Sequence, residues 1–268
     1  MRASTNHFRN LISRPWRRGP RSGIAVALNN GIASAPGLFI ARMDADDEAH
    51  PERLERQLAV LMAHPKVAAV GSGYDVIDRA GIARRRERVP IEASEIQAQL
   101  PRRNCLAHPT VMMRREMVTA VGGYRAALVP CEDYDLWLRL AERHELLNLP
   151  EPLLRYREHA EQATWQALEQ RVLCELAAQA AARHRRAGMP DPLQGEACVD
   201  RQLLGRLGIP QQAIRAALQQ RSVAGAVEAA RAGNHRAART AVELARRHGA
   251  STGALRLRCW LMRARWAV

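Results

Sequence analysis

Lysine is almost missing from this sequence: of the 41 basic residues only Lys66 is a lysine. That skew fits the composition of a GC-rich gene as well as it fits selection for phosphate binding. The formal net charge of +14 therefore does not by itself point to nucleic acid. Its placement argues the same way, since residues 1–22 carry +6, residues 23–164 carry −2 and residues 165–268 carry +10. The centre of the chain is near neutral, so no specific nucleic-acid partner is expected, only loose attraction to an anionic membrane surface. The cysteines are five, an odd number, widely spaced and without a C-x-x-C pair. This removes a disulfide framework and a zinc knuckle and suits a reducing compartment. No run approaches the ~18 to 20 apolar residues of a membrane span, and the N-terminus has arginines without the apolar core of a signal peptide. The expected location is cytoplasmic, with at most peripheral contact at the inner face of the membrane. G-x-S-x-G, H-E-x-x-H, Walker A and G-x-G-x-x-G spacings are absent as well.

What the chain does have is 268 residues with 47% hydrophobic content, enough for one sizeable α/β domain and a smaller appendage. Residues 1–22, rich in Arg, Pro and Gly without a sustained period, read as a disordered or non-native basic leader. From Ser22, a residue suited to a helix cap, Ile24, Leu28 and Ile32 recur at a spacing of four until Pro36-Gly37 ends the pattern. Residues 38–41 form a short apolar run suited to a buried strand. Pro51 opens a second helix with Leu54, Leu58, Leu61 and Met62 as its buried stripe, and residues 67–71 follow as a strand. Strand, helix and strand, with apolar runs instead of alternation, predict a mostly parallel sheet covered on both faces. Residues 84–88 read as a solvated loop, 110–113 as a strand, 132–143 as a helix with Leu136, Trp137 and Leu140 inward, and 146–156 as a proline-interrupted extended stretch. Beyond Trp165 the chain is Ala- and Arg-rich with helical periodicity, broken at residues 188–192. Residues 224–248 read as two helices around Gly233-Asn234, a pair of the kind found in helical-repeat arrays.

Three clusters carry chemistry. Asp44-Ala45-Asp46-Asp47 follows the first strand, so its carboxylates project where open α/β sheets place their ligand crevice. Mg²⁺ and Mn²⁺ want oxygen ligands and take only one or two from protein, which a D-x-D pair supplies. The same acids also suit a loop that caps the next helix. Glu132-Asp133 opens a helix, with Asp135 one turn in; the helix dipole alone accounts for acids there, and a carboxylate at a cleft mouth also suits a general base. Tyr156-Arg157-Glu158-His159 sets a guanidinium and an imidazole together, either for phosphate oxygens and a metal or as an exposed basic loop. His108, ahead of a strand, is open to both kinds of reading.

In order, the chain reads Gly23-Ile24-Ala25, Ala27-Leu28-Asn29-Asn30-Gly31-Ile32, Ile40-Ala41-Arg42-Met43-Asp44-Ala45-Asp46-Asp47 and Pro51-Glu52-Arg53-Leu54-Glu55-Arg56-Gln57. It continues with Val70-Gly71-Ser72, His108-Pro109-Thr110-Val111, Gly122-Gly123-Tyr124, Glu132-Asp133-Tyr134-Asp135-Leu136-Trp137-Leu138-Arg139 and Tyr156-Arg157-Glu158-His159. This text, in register from residue 23 to about residue 162, resembles bacterial family 2 glycosyltransferases of the GT-A fold. The resemblance implies an α/β fold class: an incomplete GT-A, Rossmann-like domain over residues 23–164, then an α-helical region over 165–268. It implies transfer of a sugar, with inversion, from a nucleotide-sugar donor to a glycan or lipid-linked acceptor, assisted by a divalent metal, Mg²⁺ or Mn²⁺, in surface polysaccharide biosynthesis. Asp44, Asp46, Asp47, Asn29, Tyr156 and Arg157 are then donor-binding residues, Asp46 and His159 metal ligands, and Asp133 the base with Glu132 beside it. Family members begin with a strand, a helix and a second strand that hold the nucleobase and ribose. Residues 1–22 show no such pattern, so a chain lacking that segment, and binding donor weakly, is expected. Two other readings stand beside this one: a non-catalytic remnant whose helical tail is an interaction module, and a basic nucleic-acid binder supported by charge alone.

Overall fold

The structure, a computed structural model, describes residues 23–158, 167–231 and 233–250; the leader expected over residues 1–22 lies outside them. Helix α1 (Ile24–Ser34) starts at Gly23, whose φ of 82° favours glycine, and stops at Ala35, which Pro36 forces into extended backbone. Strands β1 (Phe39–Ala41) and β2 (Glu48–Ala49) flank the acidic turn, and α2 (Arg53–Ala63) follows. The central strand β3 (Val67–Ile77) turns back into β4 (Ala83–Glu87). Helix α3 (Ala93–Gln99), a single 3-10 turn at His108–Thr110, β5 (Met112–Arg114), α4 (Arg115–Ala120), α5 (Glu132–Ala141) and β6 (Glu145–Arg157) complete the first part. The sheet order is β1-β5-β3-β6-β2, with β4 added alongside β3.

The mixed α/β architecture with a helical C-terminal region is as expected, but the mostly parallel sheet is not. Among the described residues β3 and β6 pair in parallel, whereas β1–β5, β2–β6, β3–β4 and β3–β5 are antiparallel. An apolar run reports burial on two faces and is silent on direction. Strand β3 supplies Ala68 and Ala69 to a large core shared with α5, and Val67 and Val70 to a smaller one packed by α2.

Other expectations need correction. The arginine run at 84–88 is solvated as expected at Arg84, Arg86 and Arg88, but it is largely strand β4 and not a loop. Arg86 donates to Asp75 across the hairpin (2.7 Å), and Arg85 donates to Glu87 (2.7 Å) and Glu158 (2.8 Å), so pairing with acids offsets the like charges. The strand expected from Thr110 begins only at Met112, because Pro109 sits in a tight turn whose Thr110 hydroxyl bonds the Ala107 carbonyl (2.7 Å). On α2 the buried stripe is Arg53, Gln57 and Leu61, with Leu54 and Leu58 half-buried and Met62 exposed at 65%. Strand β1 is an edge, half-exposed, and Leu38 before it is exposed.

Beyond the sheet, α6 (Leu168–Arg186) packs an alanine-rich face, including Ala177, Ala178 and Ala181, into the large core. Helices α7 (Arg201–Arg206), α8 (Gln211–Arg231) and α9 (His235–Arg247) follow. Gly233, at φ 73°, turns the chain between α8 and α9, and the Asn234 side chain caps α9 by accepting the Ala237 N–H (3.0 Å). Among the described residues no helix is long and apolar enough to cross a membrane.

Candidate active site

The acidic turn is held from behind by buried polar side chains. Arg53 and Gln57 are 1% and 0% exposed, which such residues tolerate only when their hydrogen bonds are made. Arg53 donates to the Arg42 carbonyl (2.5 Å) and to Gln57 Oε1 (3.1 Å), and Gln57 Nε2 donates to the carbonyls of Val70 and Thr110 (2.7 Å each). The Arg42 N–H donates to Val111 O (2.9 Å). Thus α2, β3 and the entry to β5 all pin the residue that begins the turn. Arg42 places Nη1 and Nη2 on the two carboxylate oxygens of Asp44 (2.8 and 2.6 Å). Asp46 is exposed, whereas Asp47 is buried, its Oδ1 accepting the Arg157 N–H (2.8 Å) and its Oδ2 without a hydrogen-bond partner. Burial pushes the Asp47 carboxyl up to about 6 despite that N–H, and the charges of Asp44 and Asp46 add to the effect.

Helix α5 delivers Glu132 and Asp133 to the same region, where the charges of Arg42 and Asp44 act on Glu132. Glu132 is 5% exposed and its Oε2 has no hydrogen-bond partner. Burial, with the neighbouring Asp133 charge, pushes its carboxyl up to about 7, so desolvation outweighs the helix dipole. Asp133 is half-buried; Oδ2 accepts from Asn104 Nδ2 (2.9 Å) and Oδ1 from the Tyr134 N–H (2.7 Å). Burial raises its carboxyl against both bonds. Beside them His108 Nε2 bonds the Tyr124 hydroxyl (2.9 Å) and meets the Trp137 ring edge-on at 6.0 Å. Burial, with Arg42 nearby, holds this imidazole well below its usual range, hence neutral. Tyr124 follows two left-handed glycines, and a Cβ on Gly123 would lie 2.5 Å from Asn29 Oδ1. Arg139, 4% exposed, fastens that loop to α5 through the carbonyls of Val121 and Gly123 and the carboxylate of Asp135.

The structure therefore brings Asp44, Asp46, Asp47, Glu132 and Asp133 to one region, and it shows what two of the expected donor residues bond to within the chain. Asn29 has its amide taken by Tyr124, donating to its carbonyl and accepting its N–H (2.8 Å each), so it shapes the loop behind His108. Arg157 donates through Nε to the Asp46 carbonyl (2.8 Å) and through its other nitrogens to Asp78 O, Arg79 O and Glu48, tethering β6 to the turn. Tyr156 lies half-buried, edge-on to Tyr74 at 5.9 Å. His159 lies outside the described residues. Sequence reasoning missed Arg42, Arg53, Gln57 and Asn104. Only Arg42 carried a signal: in an extended stretch it lies on the same side as Asp44 two residues on.

Among the described residues no three His, Cys, Asp or Glu side chains gather to hold a metal. A hard Mg²⁺ or Mn²⁺ needs one or two, and exposed Asp46 with the orphan oxygen of Asp47 offers oxygen donors of that kind, so the residues present fit such an ion. A cavity of about 610 Å³ lies elsewhere, between α6, α8 and α9, lined by Leu168, Arg171, Glu175, Arg221, Glu228 and Leu244 among others. It borders the site through Arg171, whose carbonyl accepts from Cys131 Sγ (3.3 Å), the residue before Glu132.

The model of glycosyl transferase family 2 matches residues 10–122, which hold α1, the acidic turn and β3 to β5; α5 and β6 lie beyond the match. The amylovoran biosynthesis glycosyltransferase AmsE of Erwinia amylovora is 35% identical over 136 residues, 50% of this chain and 50% of that protein. The O-antigen biosynthesis glycosyltransferase WbnJ of Escherichia coli is 35% identical over 139 residues, 51% of this chain and 54% of that protein. The chain thus spans about half the length of the curated relatives it matches. The mannosyltransferase PcManGT of Pyrobaculum calidifontis, solved with GDP-Man and Mn²⁺, superposes with a TM-score of 0.43 at 20% identity over 92% of this chain and 67% of that one, too loosely to carry any residue across. Residues 10–122 thus carry the similarity to glycosyl transferase family 2, and the relatives that share it are glycosyltransferases of polysaccharide and O-antigen biosynthesis.

Proposed function

We propose that this chain transfers a sugar from a nucleotide-sugar donor to an acceptor hydroxyl, with inversion at the anomeric carbon. The observation that carries the reading is the meeting of the D-x-D turn with the N-terminus of α5, where the charge of Arg42 acts on both Glu132 and Asp133. The acceptor hydroxyl attacks the anomeric carbon as the bond from that carbon to the diphosphate oxygen breaks. The electron pair of that bond leaves with the nucleoside diphosphate, and the hydroxyl proton passes to Asp133. Asn104 and the Tyr134 N–H orient this carboxylate, and burial raises its proton affinity, as a base requires. Asp44 faces the ribose and Asp46 the diphosphate. A divalent cation held by Asp46, with support from Asp47 and His159, would offset the charge growing on the departing diphosphate. Tyr156 closes the donor side.

The biosynthetic setting is surface polysaccharide, with a glycan or lipid-linked acceptor met in the cytoplasm or at the inner face of the membrane. The names of AmsE and WbnJ, amylovoran and O-antigen biosynthesis, support that choice. The test is Asp133→Asn, which keeps shape but removes the proton acceptor. Turnover should fall by roughly 10² to 10⁴ while nucleotide binding persists. Unchanged turnover would sink the base assignment. Failure of the wild-type chain to transfer or hydrolyse any uridine-, guanosine- or thymidine-diphosphate sugar with Mn²⁺, even at donor concentrations high enough to fill a weak site, would overturn the reading as a whole.

A further inference from the structure

Arg42 is a buried cation inside an acidic site. Its side chain is 10% exposed, and both terminal nitrogens sit on Asp44. Its charge also acts on Asp47, Glu132 and Asp133. Its placement is imposed by the backbone bond to Val111 and by Arg53 on its carbonyl. The pair is two-pronged, with the guanidinium largely buried and the Asp44 carboxylate 38% exposed, a geometry that lysine, which lacks the fork, does not reproduce. Arg42 thus carries a positive charge held on Asp44 and felt by Asp47, Glu132 and Asp133, with buried Arg53 behind it on the side of Asp47.

We propose that Arg42 is a positioning residue that acts as the resident cation of the site: it restrains the acidic turn from binding a bare divalent cation and draws in the donor's diphosphate, so that metal and diphosphate bind together. This rests on the glycosyl-transfer reading above. A fixed positive charge opposes an arriving divalent cation and favours an arriving polyanion. At the effective dielectric of a partly buried site each effect is roughly tenfold or more. A purely structural role for Arg42 would weaken both ligands alike.

The experiment uses the full chain and two probes: MnCl₂ alone, followed by the electron paramagnetic resonance of free Mn²⁺, and inorganic pyrophosphate in EDTA, followed by calorimetry. Arg42→Met should bind Mn²⁺ about tenfold more tightly and pyrophosphate about tenfold more weakly. Arg42→Lys, which keeps the charge, should stay within a few-fold of wild type for both. Arg42→Gln, which removes the charge but keeps a hydrogen-bonding side chain of similar reach, should show the same split, and it decides the matter if Arg42→Met fails to fold. Parallel loss of both ligands in Arg42→Met, or no split in either variant, overturns the proposal while wild-type binding of both probes leaves the functional reading standing. If the wild type binds neither probe, and neither UDP nor GDP with Mn²⁺, both fall.

Discussion

Replacing Glu132 with glutamine should stabilise the protein at pH 8 and leave its stability unchanged near pH 4. Glu132 is buried with one carboxylate oxygen unpartnered, and burial raises its carboxyl from 4.5 to about 7. Below the unfolded value of 4.5 the group is protonated in both states and contributes no difference. Between there and about 7 the unfolded chain sheds a proton that the folded chain keeps, so stability falls as pH rises; above about 7 the folded state holds a buried charge and the whole penalty is present. At about 1.4 kcal/mol per unit the displacement corresponds to roughly 3 kcal/mol. For a chain of this size that is a rise in Tm of roughly 6 to 12 °C at pH 8, shrinking to nothing near pH 4. The assay is thermal unfolding of wild type and Glu132→Gln across pH 4 to 8.5, in EDTA so that no cation neutralises the site. A Tm difference independent of pH, or a variant less stable than wild type at pH 8, would refute the argument, because either result places the Glu132 charge in a site that accommodates it.

Two further outcomes test the scaffold and the turn. Arg139→Met strips the fully buried Asp135 of its close partner, leaving only Arg125 at 3.6 Å, and should destabilise by about 3 kcal/mol in urea titration; a loss below about 1 kcal/mol would show that Asp135 does not need the pair. Asp46→Ala changes an exposed side chain, so Tm should hold within a degree or two while Mn²⁺-dependent donor binding, measured by calorimetry, disappears. Retained binding in that variant would remove Asp46 from the metal.

What the sequence determined by itself was local. The proline-punctuated stretch that became β6 and the apolar positions Leu136, Trp137 and Leu140 of α5 were legible from residues within one or two turns, whereas the recurrence from Ile24 located α1 but not its buried side, since Ile24 is exposed and Ala25 and Ile32 are buried. The D-x-D turn and the Glu-Asp pair at the head of α5 were legible for the same reason, since each is a short constellation whose chemistry lies in its own residue types. Tertiary structure decided everything that depended on partners far along the chain. The clamp that Asn29 makes on Tyr124, 95 residues away, and the tether between Arg157 and Asp46 and Asp47, 111 and 110 residues before it, have no trace in the local sequence. The arginines of β4, exposed at Arg84 and Arg86, read as a loop until β3 supplies Asp75 as a cross-strand partner and Glu158 follows β6, and α2 reads as a leucine stripe until the carbonyls of Val70 and Thr110 give Gln57 its acceptors. A polar or charged side chain is buried or exposed according to whether a partner satisfies it, and that partner has no fixed spacing along the chain.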